Sequence, residues 1–173
     1  RFDGRLSAEL PRPDLQQRFT GARTAIAQDF EQRNYQAAIR RIMALADEAN
    51  RYIDEEKPWL QIKQEGMADH VQAVCTQGIN LFRVLIAYLA PVLPFTAERA
   101  SAFLGVDVSD WSRIESPQRD VEINTFQPLL TRIDPLKVQA MVDASKESLQ
   151  ATPGEAAAPE TPALEPIADE IGI

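Results

Sequence analysis

Apolar residues recur at three- and four-residue steps through most of the first 150 positions of this chain, the spacing of helices that each bury one stripe. Leu15, Phe19, Ala22, Ile26 and Phe30 form the first stripe. Pro13 and Asp14 stand ahead of it, which predicts a single helix capped by Asp14 and ending near Asn34. Tyr35, Ala38, Ile39, Ile42, Met43, Ala46, Ala49 and Ile53 form the second, with polar residues opposite, and Pro58 closes or bends it. The third starts near Ala68 and carries Val71, Val74, Cys75, Ile79, Phe82, Leu85, Ile86 and Leu89. It becomes so densely apolar toward its end that it is expected at the centre of a bundle. Pro91 and Pro94 then turn the chain, and Thr96 is the expected cap of a short fourth helix through Leu104, stopped by Gly105.

From Val106 to Ile133 the periodicity fades among Pro117, Asn124 and Pro128, which predicts an irregular connection with room for one extended piece. Asp134 before Pro135 reads as a cap followed by proline at the first helical position, opening a helix with Leu136, Val138, Met141, Val142 and Leu149. The fold class expected is therefore all-α, a bundle of about five helices over residues 1–150. After Gln150 the composition changes to Ala, Pro, Glu and Thr. Such a segment buries too little apolar surface to offset chain entropy, so 151–173 reads as an extended, disordered linker.

Charge narrows the choice of partner. The net charge is −8, but the tail holds five of the 26 acids and none of the 18 bases, so the first 150 residues carry only −3. Between Arg33 and Lys63 six bases face five acids, a mixed surface in which non-specific phosphate attraction cannot be the main source of affinity for a nucleic acid. The single cysteine, Cys75, rules out a disulfide framework and reads as a buried structural thiol. His70, the only histidine, has no second histidine or cysteine for a metal or a triad and reads as a solvated residue early in a helix. No glycine-rich phosphate loop and no catalytic constellation are present. The longest apolar run, Ile79 to Phe95, contains Asn80 and Arg83 and two prolines, too polar and short to span a membrane. No signal peptide is visible at Arg1, and a start without methionine fits a piece of a longer protein.

One stretch carries candidate chemistry. Asp47, Asn50, Arg51 and Asp54 fall at i, i+3, i+4 and i+7, so they project from one side of the second helix over two turns. Tyr52 and Ile53 lie round the helix toward the core. Pro58 is expected to hold Lys57 extended and so to fix where Trp59 leaves the helix. An indole held there can stack on a splayed-out base while the neighbouring amide and guanidinium read its edge. The competing reading is that Trp59 fills the gap between the second and third helices together with Leu60 and Ile62, since most tryptophans are core residues.

The run IMALADEANRYIDEEKPW at 42–59 resembles the anticodon-binding helix of bacterial methionyl-tRNA synthetases, in which N-R-Y-x-D followed by P-W is a strong signature. RFDGRLSAEL at 1–10, GINLFRVLIAYLAPVLP at 78–94 and RIDPLKVQAMVDASKES at 132–148 are similar to the same family, and Leu89 to Phe95 with Thr96, Glu98 and Arg99 resembles the anticodon domains of class I synthetases generally. The resemblance implies a class I anticodon-binding bundle in which Trp59 stacks on a base of the methionine anticodon CAU and Pro58 sets its pose. It places Asp47 and Asp54 beside that site, where they reject wrong tRNAs, and puts Asn50 and Arg51 in the same motif. It further implies a partner, methionine tRNA, and a catalytic domain elsewhere in a cytoplasmic parent chain, which would bind ATP, and often zinc, to attach methionine to that tRNA. No cofactor is expected in 1–173. The tail is similar to the linker that leads, in longer members, to a C-terminal domain for tRNA binding and homodimerisation. The alternative from another class is a helical protein-interaction module without RNA binding.

Overall fold

The computed structural model describes residues 2–130 and 134–150; side chains are described through Lys146. Its elements are α1 (Pro13–Gly21), α2 (Arg23–Glu31), α3 (Tyr35–Glu56), α4 (Pro58–Gln61), α5 (Ala68–Leu89), α6 (Pro94–Leu104), a single 3₁₀ turn at Trp111–Arg113, and α7 (Pro135–Gln150). Among the described residues there is no strand, only an isolated antiparallel bridge between Arg5 and Glu122. The expected all-α class holds, with each of the five predicted helices present and the first divided in two. The linker expected at 151–173 lies outside the described residues.

The division falls at Gly21 and Ala22. The apolar steps continue through it, which is why the pattern reads as one helix, but the backbone shortens to ψ −12° at Ala22 and α2 starts afresh at Arg23. Asp14 is not the cap: Arg12 occupies that position, and Asp14 instead accepts from the Arg12 guanidinium at 2.8 and 3.0 Å. Thr96 is likewise not a cap. α6 begins two residues earlier with Pro94 as its first residue, the place where a missing N–H costs nothing, and Thr96 is buried inside its first turn. Gly105 ends α6 with φ 66°, the left-handed conformation that glycine adopts without strain.

The chain divides into two compact units, Arg1–Leu130 and Thr131–Ile173. In the first, α5 is the central element, packed by α1, α3, α4 and α6, as its apolar density predicts. Phe19, Ile26, Ile42, Tyr52, Val74, Leu81, Val84 and Tyr88 build the larger core between α5 and the helices α1 to α3. A second cluster, Ile86, Ala97, Ala100, Leu104 and Val108, joins the other side of α5 to α6. Gly78 lets α3 come close to α5, since a Cβ there would stand 3.0 Å from the Ile53 side chain.

α5 also carries a polar strip that no apolar pattern reveals. Asn80 and Arg83 are buried and hold the irregular connection: Asn80 Nδ2 donates to Gln118 O at 2.8 Å, Gln118 N donates to Asn80 Oδ1 at 2.7 Å, and the Arg83 guanidinium donates to the carbonyls of Arg113 and Ser116. Burial holds the Arg83 pKa below its ordinary value, and carbonyl oxygens rather than a carboxylate face it. Trp111, in the same connection, packs edge-on against Tyr88 and donates its indole N–H to Ala87 O at 2.7 Å. In the second unit α7 opens as expected: the Asp134 carboxylate accepts from Leu136 N at 3.0 Å.

Candidate functional site

α3 ends through Lys57, whose φ of 49° and ψ of 56° are left-handed. The expectation that Pro58 would hold Lys57 extended is therefore incorrect. A left-handed residue closes the helix, with Lys57 N donating to Ile53 O at 2.9 Å, and the turn it makes delivers Pro58 as the first residue of α4. Trp59 thus sits inside a one-turn helix set off from the axis of α3, a helix that the sequence pattern is too short to show. Trp59 is 50% exposed and Leu60 49%, and Trp59 belongs to neither core cluster. The gap-filling reading does not describe it. Beside this elbow His70, exposed at the start of α5, stands 3.4 Å from Glu56 at the end of α3.

Asp47, Asn50, Arg51 and Asp54 are all exposed on the outward side of α3, and Pro58 is half-buried. The structure brings only part of this set into a concavity. A groove of about 520 Å³ runs between α1 and α3, and Asp47 and Arg51 line it with Arg12, Arg18, Glu48 and Glu55. Asn50 and Asp54 lie on the far side of the same helix face, outside that groove. Its floor includes Leu15 and Tyr52. Burial, and then the nearby Glu56 carboxylate, push the Tyr52 hydroxyl well above its ordinary pKa, so it stays a neutral phenol. Among the described residues that hydroxyl has no hydrogen-bond partner.

The walls are tied across the groove by charge. Arg18 on α1 donates to Glu48 on α3 at 2.7 Å, and the Arg12 guanidinium beside Asp14 holds that carboxyl down to about 2. Arg12 and Arg18 escape a reading by helical spacing because their place depends on how α1 packs on α3; a salt bridge thirty residues apart leaves no periodic signal. The groove and the helix face beside it together make a surface of alternating sign, with Arg12, Arg18, Arg51 and Asp47 in the groove and the Asn50 amide and Asp54 carboxylate next to it. Such a surface can recognise a base edge and repel a misplaced phosphate. Among the described residues no group of three or more His, Cys, Asp or Glu comes together that could hold a metal ion. None of the described helices is long and apolar enough to cross a membrane.

The sequence of the chain is similar to those of known proteins. Residues 7–125 match the family model described as the anticodon binding domain of methionyl tRNA ligase. The chain is also 50% identical over 168 residues to the "Methionine--tRNA ligase" of Stenotrophomonas maltophilia (strain R551-3). That alignment covers 97% of the chain and 24% of the relative, so the chain spans about a quarter of the length of the protein it matches.

Proposed function

Because the chain belongs to the family of the methionyl tRNA ligase anticodon binding domain, we propose that its α3–α4 elbow receives the CAU anticodon of methionine tRNA. Trp59 stacks on an anticodon base that has left the loop's own stack, with Pro58 and the left-handed Lys57 fixing the direction of the indole. Asn50 and Arg51 supply donors to the base edge. Asp47 and Asp54 contribute selectivity: a carboxylate beside an RNA backbone is unfavourable unless it excludes a competitor. The observation that carries the reading is the half-exposed indole on a one-turn helix, next to a polar helix face that is exposed along its second half.

The parent protein attaches methionine to this tRNA in the cytoplasm, using ATP bound in a catalytic domain of its own. ATP, and zinc where the parent holds it, belong to that domain. Residues 1–150 act as the anticodon-binding unit, and 151–173 as a linker toward a C-terminal domain through which the parent forms a homodimer. The test is an anticodon exchange. In the full-length parent, each single change in CAU should weaken tRNA binding and lower aminoacylation, and Trp59→Ala should reduce the difference between the changed tRNAs and the cognate one. Binding that is indifferent to the anticodon would refute the assignment.

A further inference from the structure

The outward face of α3 changes character along its length. Gln36, Arg40, Met43, Ala44, Asp47, Asn50, Arg51 and Asp54 share this face, each three or four residues from another of the set, and all are exposed. The acids lie only in the second half, toward Trp59. In the first half the one charged residue on this face is Arg40, with Arg33 in the turn just before α3.

The arginines around α3 fall into paired and unpaired ones. Arg18 is bound to Glu48, Arg41 to Asp29 at 2.7 Å, Arg12 to Asp14 and Arg23 to Glu115 at 3.0 Å. Arg33, Arg40 and Arg51 have no acid within 4.0 Å among the described residues. A guanidinium left without a carboxylate on an open helix face keeps its planar set of donors available, and the geometry of that set matches a phosphate.

Distance then decides which part of an RNA could meet Arg40. From Arg40 to the end of α3 at Glu56 the helix rises about 24 Å, at 1.5 Å per residue. Bases stacked at ~3.4 Å per step span only about 10 Å for a triplet, and the base that leaves the stack for Trp59 lies at the near end. A triplet held at Trp59 therefore ends well short of Arg40, and an RNA that continues along the exposed face brings its double-stranded stem there. We propose that Arg40, assisted by Arg33, binds phosphates of the stem next to the anticodon loop, a contact indifferent to base sequence that lays the tRNA along α3. This rests on the reading of Trp59 as the anticodon end. It gives α3 two zones: a mixed-charge zone that discriminates and a basic zone that only holds.

The experiment measures tRNA dissociation constants of the full-length parent across a salt series, for the unaltered protein, Arg40→Gln, Arg40→Lys and Trp59→Ala, with methionine tRNA and the same tRNA carrying a changed anticodon. Loss of one phosphate contact should flatten the slope of log Kd against log salt by roughly 0.7–0.9. Arg40→Gln should therefore bind several-fold more weakly at low salt, keep the ratio between the two tRNAs, and melt at the same temperature. Arg40→Lys should retain the slope. Trp59→Ala should show the opposite signature, a reduced ratio with the slope intact. An unchanged slope in Arg40→Gln beside an effect of Trp59→Ala overturns the stem contact and leaves the anticodon reading standing. A changed ratio in Arg40→Gln overturns it also, since Arg40 would then read bases. If Trp59→Ala leaves the ratio unchanged, the anticodon reading itself fails.

Discussion

Replacing Trp59 by Ala separates recognition from stability in a way that can be worked out in advance. A tryptophan side chain carries on the order of 200 Å² of surface, and half of Trp59 is exposed, which leaves about 100 Å² for an incoming base. Covering that surface at ~25 cal/mol per Å² contributes about 2.5 kcal/mol, within the ~1–3 kcal/mol that a base–aromatic stack is worth. The dissociation constant for methionine tRNA should therefore rise about 5- to 150-fold, as each 1.4 kcal/mol is about tenfold. The bundle itself should lose about 1 kcal/mol or less, the ordinary range for a substitution away from the core, because Trp59 lies outside both core clusters and α4 is a single turn. Amino-acid activation should stay nearly constant, since the change is remote from that chemistry. Equilibrium binding, thermal denaturation and ATP–pyrophosphate exchange on the full-length protein give the three quantities. A melting-temperature loss as large in free energy as the loss in binding, or an unchanged dissociation constant, would refute the reasoning.

Three further outcomes follow from particular contacts. Tyr88→Phe removes a buried hydroxyl that donates to Phe19 O at 2.8 Å and Thr20 O at 3.2 Å, so denaturant unfolding should show a loss of ~1–2 kcal/mol; a loss under about 0.5 kcal/mol would mean that water replaces the donor. Asp14 should titrate in carboxyl NMR near the about 2 to which the hydrogen bonds from Arg12 depress it; since the folded value is lowered, whatever the pair contributes is present above the ordinary range and lost as pH falls through 2, and Arg12→Gln should return the midpoint toward 3.8. Asp54→Asn removes a charge at nearly constant shape, so affinity for non-cognate tRNA should rise and its salt dependence steepen; an unchanged ratio of cognate to non-cognate affinity at two salt concentrations would return Asp54 to a solvated surface role.

The long helices are legible in the sequence because each buries one stripe over many turns: the Ile42–Tyr52 side of α3 and the Val71–Tyr88 side of α5 face the core that their spacing implies. Local stereochemistry is legible too where one residue type dominates, as at Gly105 and Asp134. What escapes is set by tertiary packing. The division of α1 from α2 leaves the apolar steps unbroken. Asn80 and Arg83 would be assigned to solvent by residue type, yet their partners are backbone groups of a loop some thirty to forty residues away. Val108 and Ile114 are buried within a stretch with no periodicity at all. At the candidate site the motif places Asp47, Asn50, Arg51 and Asp54 on one face, but only the position of α1 decides that Asp47 and Arg51 share a groove with Arg12 and Arg18.

Lys57 has a consequence for how this surface can change. α3 and α6 both end on a left-handed residue, glycine at 105 and lysine at 57. For a residue with a Cβ that conformation costs about 1 kcal/mol relative to glycine, so Lys57→Gly is an available route to a more thermostable chain. Glycine would also widen the range of backbone angles at the one joint between a 22-residue rod and a one-turn arm. Small rotations there sweep the indole through an arc, and thermal jitter at the joint becomes positional error at the base. Heat resistance gained at this joint would thus blur the reading while it strengthened the fold, and heat tolerance is better added elsewhere, in the loops or at Gly21.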